Sequence, residues 1–213
     1  MEGTISSTGF ASGDRFVVGH WLRSPVGPTV DVMWARPDGE RVLLAPDVET
    51  ADFVQSVYRF DRCGIVGLDA LAGPTALALR TVGLGVSGLA EGELELHLRA
   101  GGPALRLPDR PLWFTRWVER PVARAVMDVR TWGVSPTGVH EWYQAAACRF
   151  AVSATATVDG RDLGAMAPLR PACGFGFSES PRRPSIVEVR PTLGVPPGWS
   201  VDPRPGAVAP ASW

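Results

Sequence analysis

The sequence predicts an α+β domain built mainly from antiparallel β-sheet, with room for that sheet to curl into a barrel, and two helices at about residues 48–59 and 111–127. Three observations carry this expectation. Short apolar runs rich in Val, Ile and Leu are separated by glycine and Asp-Gly turns. The run 93–99 alternates strictly: Glu93, Glu95, His97 and Arg99 are polar while Leu94, Leu96 and Leu98 are apolar, the mark of a strand with one wet and one dry face. Apolar residues at helical spacing occur in only two segments. The 24 Gly and 20 Pro among 213 residues agree with this, because they shorten elements and multiply turns.

In chain order, residues 1–14 read as a polar leader and 15–21 as a first strand, closed by Ser24-Pro25-Val26-Gly27-Pro28. Runs 30–35 and 41–45 flank Pro37-Asp38-Gly39, a strong turn sequence, and form a hairpin. Asp47 then caps the first helix, whose apolar positions Ala51, Val54 and Tyr58 share a face. Residues 63–99 read as strands between glycine turns. In the second helix Asp109 lies just before the start, Pro111 suits the first turn, and Leu112, Trp113, Trp117 and Val118 repeat at three and four; Pro121 predicts a kink or break. Strands return at 129–134 and 149–158, and Asp159-Gly160 turns the latter into 162–166, whereas 140–147 suits either a helical turn or a strand. Beyond Arg190, prolines 191, 196, 197, 203, 205 and 210 predict an irregular, extended arm at 191–213, appended to a single domain at 1–190.

Composition excludes several chemistries. All 21 Lys+Arg residues are Arg, and the chain has neither Lys nor Asn. A Schiff base, a Walker-type phosphate-binding lysine and a Cys/His/Asn triad are therefore ruled out. With a net charge of -1 no nucleic-acid partner is expected. Cys63, Cys148 and Cys173 are odd in number and lack CxxC spacing, which argues for free thiols rather than disulfides or zinc. The most membrane-like stretch, 63–90, is interrupted by Asp69, Pro74 and Arg80, so no transmembrane segment is expected. The first residues carry no basic region followed by an apolar run, and the expected location is cytoplasmic.

Gly83-Leu84-Gly85-Val86-Ser87-Gly88 matches the GxGxxG pattern, but Glu91-Gly92 and a period-two strand follow where a helix should open, so no dinucleotide is expected. His20, His97 and His140 are far apart and have no ligand at metal spacing; neither metal nor cofactor is expected. The densest polar and aromatic cluster is His140-Glu141-Trp142-Tyr143, which offers acid/base groups beside a stacking surface. His20-Trp21 is a second such place. Arg116, Arg120 and Arg124 form a cationic stripe near Trp113 and Trp117, if the second helix survives Pro121. Arg182-Arg183-Pro184-Ser185 resembles a basic kinase consensus and reads more simply as an exposed loop.

Taken together, Gly19-His20-Trp21, Ser24-Pro25, Asp31-Val32-Met33-Trp34 and Asp159-Gly160-Arg161-Asp162-Leu163-Gly164 resemble uncharacterised proteins of GC-rich, actinobacterial-type genomes. The resemblance implies a bacterial origin, which would also account for the lysine-free composition, and brings no activity or site residue with it. Eight tryptophans exceed what packing a small domain requires. The expected function is binding of a small, largely apolar or amphipathic molecule in a pocket walled by His20, Trp21, Trp34, His140, Trp142 and Tyr143, with Arg116 and Arg120 as further contacts. Two alternatives stand beside it. One is an acid/base enzyme using His140 and Glu141 in the same pocket; the other is a protein-interaction module, a homodimer among its forms, using the Arg/Trp helix and the C-terminal arm.

Overall fold

The computed structural model describes residues 1–86, 93–107, 132–135, 138–176, 179–195 and 211–212. Its strands are β1 (Glu2–Phe10), β2 (Arg15–Arg23), β3 (Thr29–Ala35), β4 (Arg41–Ala45), β5 (Arg62–Ala72), β6 (Ala76–Val86), β7 (Leu94–Ala100), β8 (Leu105–Arg106), β9 (Trp132–Val134), β10 (His140–Trp142), β11 (Ala145–Val158), β12 (Arg161–Asp162), β13 (Met166–Ala167), β14 (Ser185–Val189), β15 (Thr192–Val195) and β16 (Ala211–Ser212). Helix α1 (Val48–Val57) lies between β4 and β5. The second expected helix, 111–127, falls outside the described residues.

The sheet closes into a barrel of nine strands in the order β11, β14, β1, β2, β3, β4, β5, β6, β7, with β7 pairing back onto β11. A ring with an odd number of strands cannot alternate direction all the way round. At least one contact must be parallel, and here it is β4 against β5, joined by α1 because a parallel pair needs a crossover rather than a tight turn. Asp47 caps α1, its side chain accepting from the Thr50 N–H at 2.8 Å. The helix stops at Val57, two residues before the expected end, because Tyr58 turns extended and Arg59 donates its N–H to the Phe175 carbonyl.

Alternation along the staves sorts the side chains into two cores. Phe16 and Val18 of β2, Val32 and Trp34 of β3, Val42 and Leu44 of β4, Leu94, Leu96 and Leu98 of β7 and Ile186 of β14 fill the barrel. Val17, Trp21, Met33, Ala35, Leu43, Ala45, Val187 and Val189 point outward, where α1, the segment around Leu169–Phe175 and residues Val139 and Leu193 cover them. A second, four-stranded sheet in the order β16, β15, β10, β9 contributes that last cover.

Three segments differ from the sequence reading. The supposed leader is a central stave, β1, paired with both β2 and β14; its Ser6, Ser7 and Thr8 are buried in the wall. A side chain at Gly3 would collide with the His20 carbonyl, so glycine there permits the close approach of β2. In β11 a bulge between Ala151 and Ser153 flips the parity: Ala151 turns inward and Val152 is left 64% exposed, while Ala154 to Val158 keep the expected alternation. The prolines do not forbid regular structure at the start of the terminal segment, since Thr192–Val195 is β15, hydrogen-bonded to β10.

Candidate functional site

The interior of the barrel is stacked in layers that the register makes explicit. Phe16, Trp34 and Val42 lie in one row across β2, β3 and β4; Val18, Val32 and Leu44 form the next, joined by Ser6 and Ile186. Both rows are packed, so the barrel holds no through-channel at that level. The following row is different. Thr4, His20 and Val30 are register partners, Glu188 faces Thr4 from β14, and above them opens a cavity of about 240 Å³. The turn Ala72–Pro74 between β5 and β6, together with Leu22, Ala146 and Val189, completes its wall.

The charges around this mouth are paired. Arg149, inward-facing on β11, donates to Glu188 Oε1 at 2.8 Å and to the Pro74 carbonyl at 3.3 Å. Glu2 lies 3.6 Å from Arg190 Nε. His20 is half-buried, and burial lowers its pKa below the ordinary 6.5, so the ring is neutral at pH 7. No protein partner occupies its nitrogens among the described residues. A neutral imidazole both donates and accepts, and the Thr4 hydroxyl in the same lining is buried without a partner among the described residues, so the mouth offers apolar surface, balanced charge and two adaptable hydrogen-bonding groups.

At the opposite mouth Trp34 donates its indole N–H to Asp14 at 2.8 Å and lies 4.4 Å beneath the Arg36 guanidinium. The outer wall holds a third polar cluster. Trp21 donates to Asp31 Oδ1 at 2.8 Å, and the Tyr58 hydroxyl lies 3.3 Å from Glu141 Oε2. Asp31 and Glu141 are only 1% and 3% exposed, and burial pushes them up to about 7 and about 8. Tyr143 stands beside Glu141, and burial raises its hydroxyl well above the ordinary value.

The residues expected to wall a single pocket are thus distributed. His20 lines the first mouth, Trp34 belongs to the interior and the second mouth, and Trp21, Glu141 and Tyr143 come together in the outer layer. His140 and Glu141 are successive residues of β10 and point to opposite faces; His140 is exposed, its ring 6.1 Å from Trp142 and 6.4 Å from Trp132. Arg116 and Arg120 lie outside the described residues. Compared with known proteins, the chain matches no family model and no curated sequence. The site must speak through its chemistry.

Asp31, Tyr58, Thr4 and Glu188 escaped the sequence reading. For Asp31 a signal existed: a lone carboxylate inside Val30-Asp31-Val32-Met33-Trp34, a run apolar on both faces, is a buried acid. The remaining motifs resolve simply. Gly83 and Gly85 lie within β6 rather than at a strand-to-helix turn, and Ser185 is fully buried at the start of β14. Cys63, Cys148 and Cys173 are free thiols. Among the described residues no cluster suits a metal ion, and no helix is long and apolar enough to cross a membrane.

Proposed function

We propose that this chain is a small-molecule-binding β-barrel domain whose ligand sits in the mouth above His20. The ligand class follows from the lining. Paired charges select neither an anion nor a cation, Leu22, Ala72, Pro74 and Val189 favour an apolar body, and neutral His20 with the unpartnered Thr4 hydroxyl favours a hydrogen-bonding head. The expected occupant is therefore a small, uncharged, largely apolar molecule carrying a hydroxyl, carbonyl or amide. The observation that carries this reading is a concavity at one end of the barrel whose lining is largely apolar, whereas the larger cavity at the opposite mouth, about 470 Å³, is lined mostly by the charged residues Asp14, Arg36, Asp38, Asp159 and Arg161.

The tryptophans enter this reading differently from the sequence expectation: Trp21 and Trp34 hold the wall that shapes the mouth, each fixed by an indole hydrogen bond to a buried aspartate. Gly73 provides the test. It lines the mouth, has no positive φ, and a Cβ there meets nothing within 4 Å. Gly73→Phe should fill the cavity without disturbing the fold. Medium-chain aliphatic alcohols and amides should bind the native protein by calorimetry. Gly73→Phe should weaken them at least about tenfold, and His20→Ala about fivefold, the worth of one hydrogen bond. Equal affinity in all three proteins would refute the assignment.

A further inference from the structure

Asp31 and Glu141 lie outside the mouth and are not used there. They occupy the layer between the barrel's outer wall and the small sheet, within an apolar cluster that includes Val139 and Leu193. Each carboxyl has one aromatic donor, Trp21 or Tyr58, and each keeps a second oxygen, Asp31 Oδ2 or Glu141 Oε1, buried without a partner. Neither takes part in an ion pair among the described residues. We propose that the pair is a proton-operated latch: the small sheet carrying Glu141 docks on the barrel while these carboxyls are neutral and lifts away when they ionise.

The surroundings support this from every side. From the end of α1 comes Tyr58, on which both Asp31 and Glu141 act; from the loop after β10 comes Tyr143; from β2 comes Trp21. Cys148 of β11 lies beside Tyr143, and the Arg183 charge acts on that thiol. Ionisation would therefore place two anions in an apolar layer among indole and phenol groups, a costly arrangement that opening to water relieves. Burial raises Asp31 from 3.8 to about 7 and Glu141 from 4.5 to about 8. The folded state thus holds these protons more tightly than the unfolded chain. Their contribution is complete below the unfolded values and is lost as pH rises through about 7 and 8.

The small sheet is the part that should yield. The barrel is closed by its own ladder, whereas the small sheet projects from it, continuing the β11–β14 pair through the Arg190 N–H to Gln144 carbonyl bond and meeting the body at Tyr58 to Glu141 and at the Met1 amino group to the Pro191 carbonyl, 2.9 Å. Cys148 is buried in the same outer cluster and reports on opening. Between pH 6 and pH 9 its alkylation, normalised to the denatured chain at each pH, should rise at least about tenfold, as expected for linkage beyond one pH unit. In Asp31→Asn/Glu141→Gln it should stay nearly flat. Hydrogen exchange of the wild type decides independently of any variant's folding: above pH 8, corrected for intrinsic rate, β10 and β15 should lose protection while β2 and β3 keep theirs. A rise of equal size in the double variant, or loss of protection in barrel and small sheet together, or none in either, would overturn the latch.

Discussion

Two indole-to-aspartate bonds, Trp21 to Asp31 and Trp34 to Asp14, sit on opposite faces of the same hairpin wall at 2.8 Å each. Their surroundings differ. Asp14 also receives the Ser12 hydroxyl at 2.7 Å, whereas Asp31 keeps one oxygen unpartnered. Gly19, the register partner of Asp31, is what makes room: a Cβ there would stand 2.5 Å from Asp31 Oδ1 and 2.6 Å from Trp21 Nε1. Gly19→Ala should therefore break the Trp21–Asp31 bond and cost about 2 kcal/mol. Chemical denaturation measures the loss, and an unchanged midpoint would contradict this packing. The sequence placed Trp21, Glu141 and Tyr143 in one pocket with His20, Trp34, His140 and Trp142; the structure packs Trp21 and Tyr143 into the outer cluster, where Glu141 meets Tyr58. The sequence carries a signal for Asp31 as a buried acid but could not supply its partner or Tyr58, because the Tyr58–Glu141 contact joins positions 83 residues apart and both contacts depend on which face of each strand turns outward.

At the level of elements, the legible ones were those whose local chemistry agrees with their environment. The hairpin β3–β4 has its Asp-Gly turn, β7 its strict alternation, and α1 its aspartate cap. Asp47→Ala removes the bond to the Thr50 N–H and should cost about 1 kcal/mol. It should leave the mouth intact, so ligand affinity and stability would separate in one variant. Element β1 was illegible for the opposite reason. Its serines and threonine are polar by type yet buried by topology, since strands on both sides use their backbone groups. The inversion at Val152 was hidden too, because a bulge is set by pairing with β7 rather than by composition.

For the whole molecule, barrel closure explains why a chain with few helical segments can fill one core and cover another. Inward residues pack the barrel up to the row of Thr4, His20 and Val30, and outward residues of the same strands accept α1 and the small sheet. The barrel's parallel contact, β4 with β5, places α1 over the outer wall, and the end of α1 delivers Tyr58 to Glu141. Under the proposed reading a ligand takes the mouth beyond these rows, where His20 is the reporting group. The most direct test is an NMR titration of the intact protein with a medium-chain aliphatic amide, following the His20 ring and the backbone amides. Saturable shifts are expected at His20, Leu22, Ala72 and Gly73, with little change at Trp34 or Glu141. Shifts centred on the outer layer or the opposite mouth, or none that saturate, would contradict it.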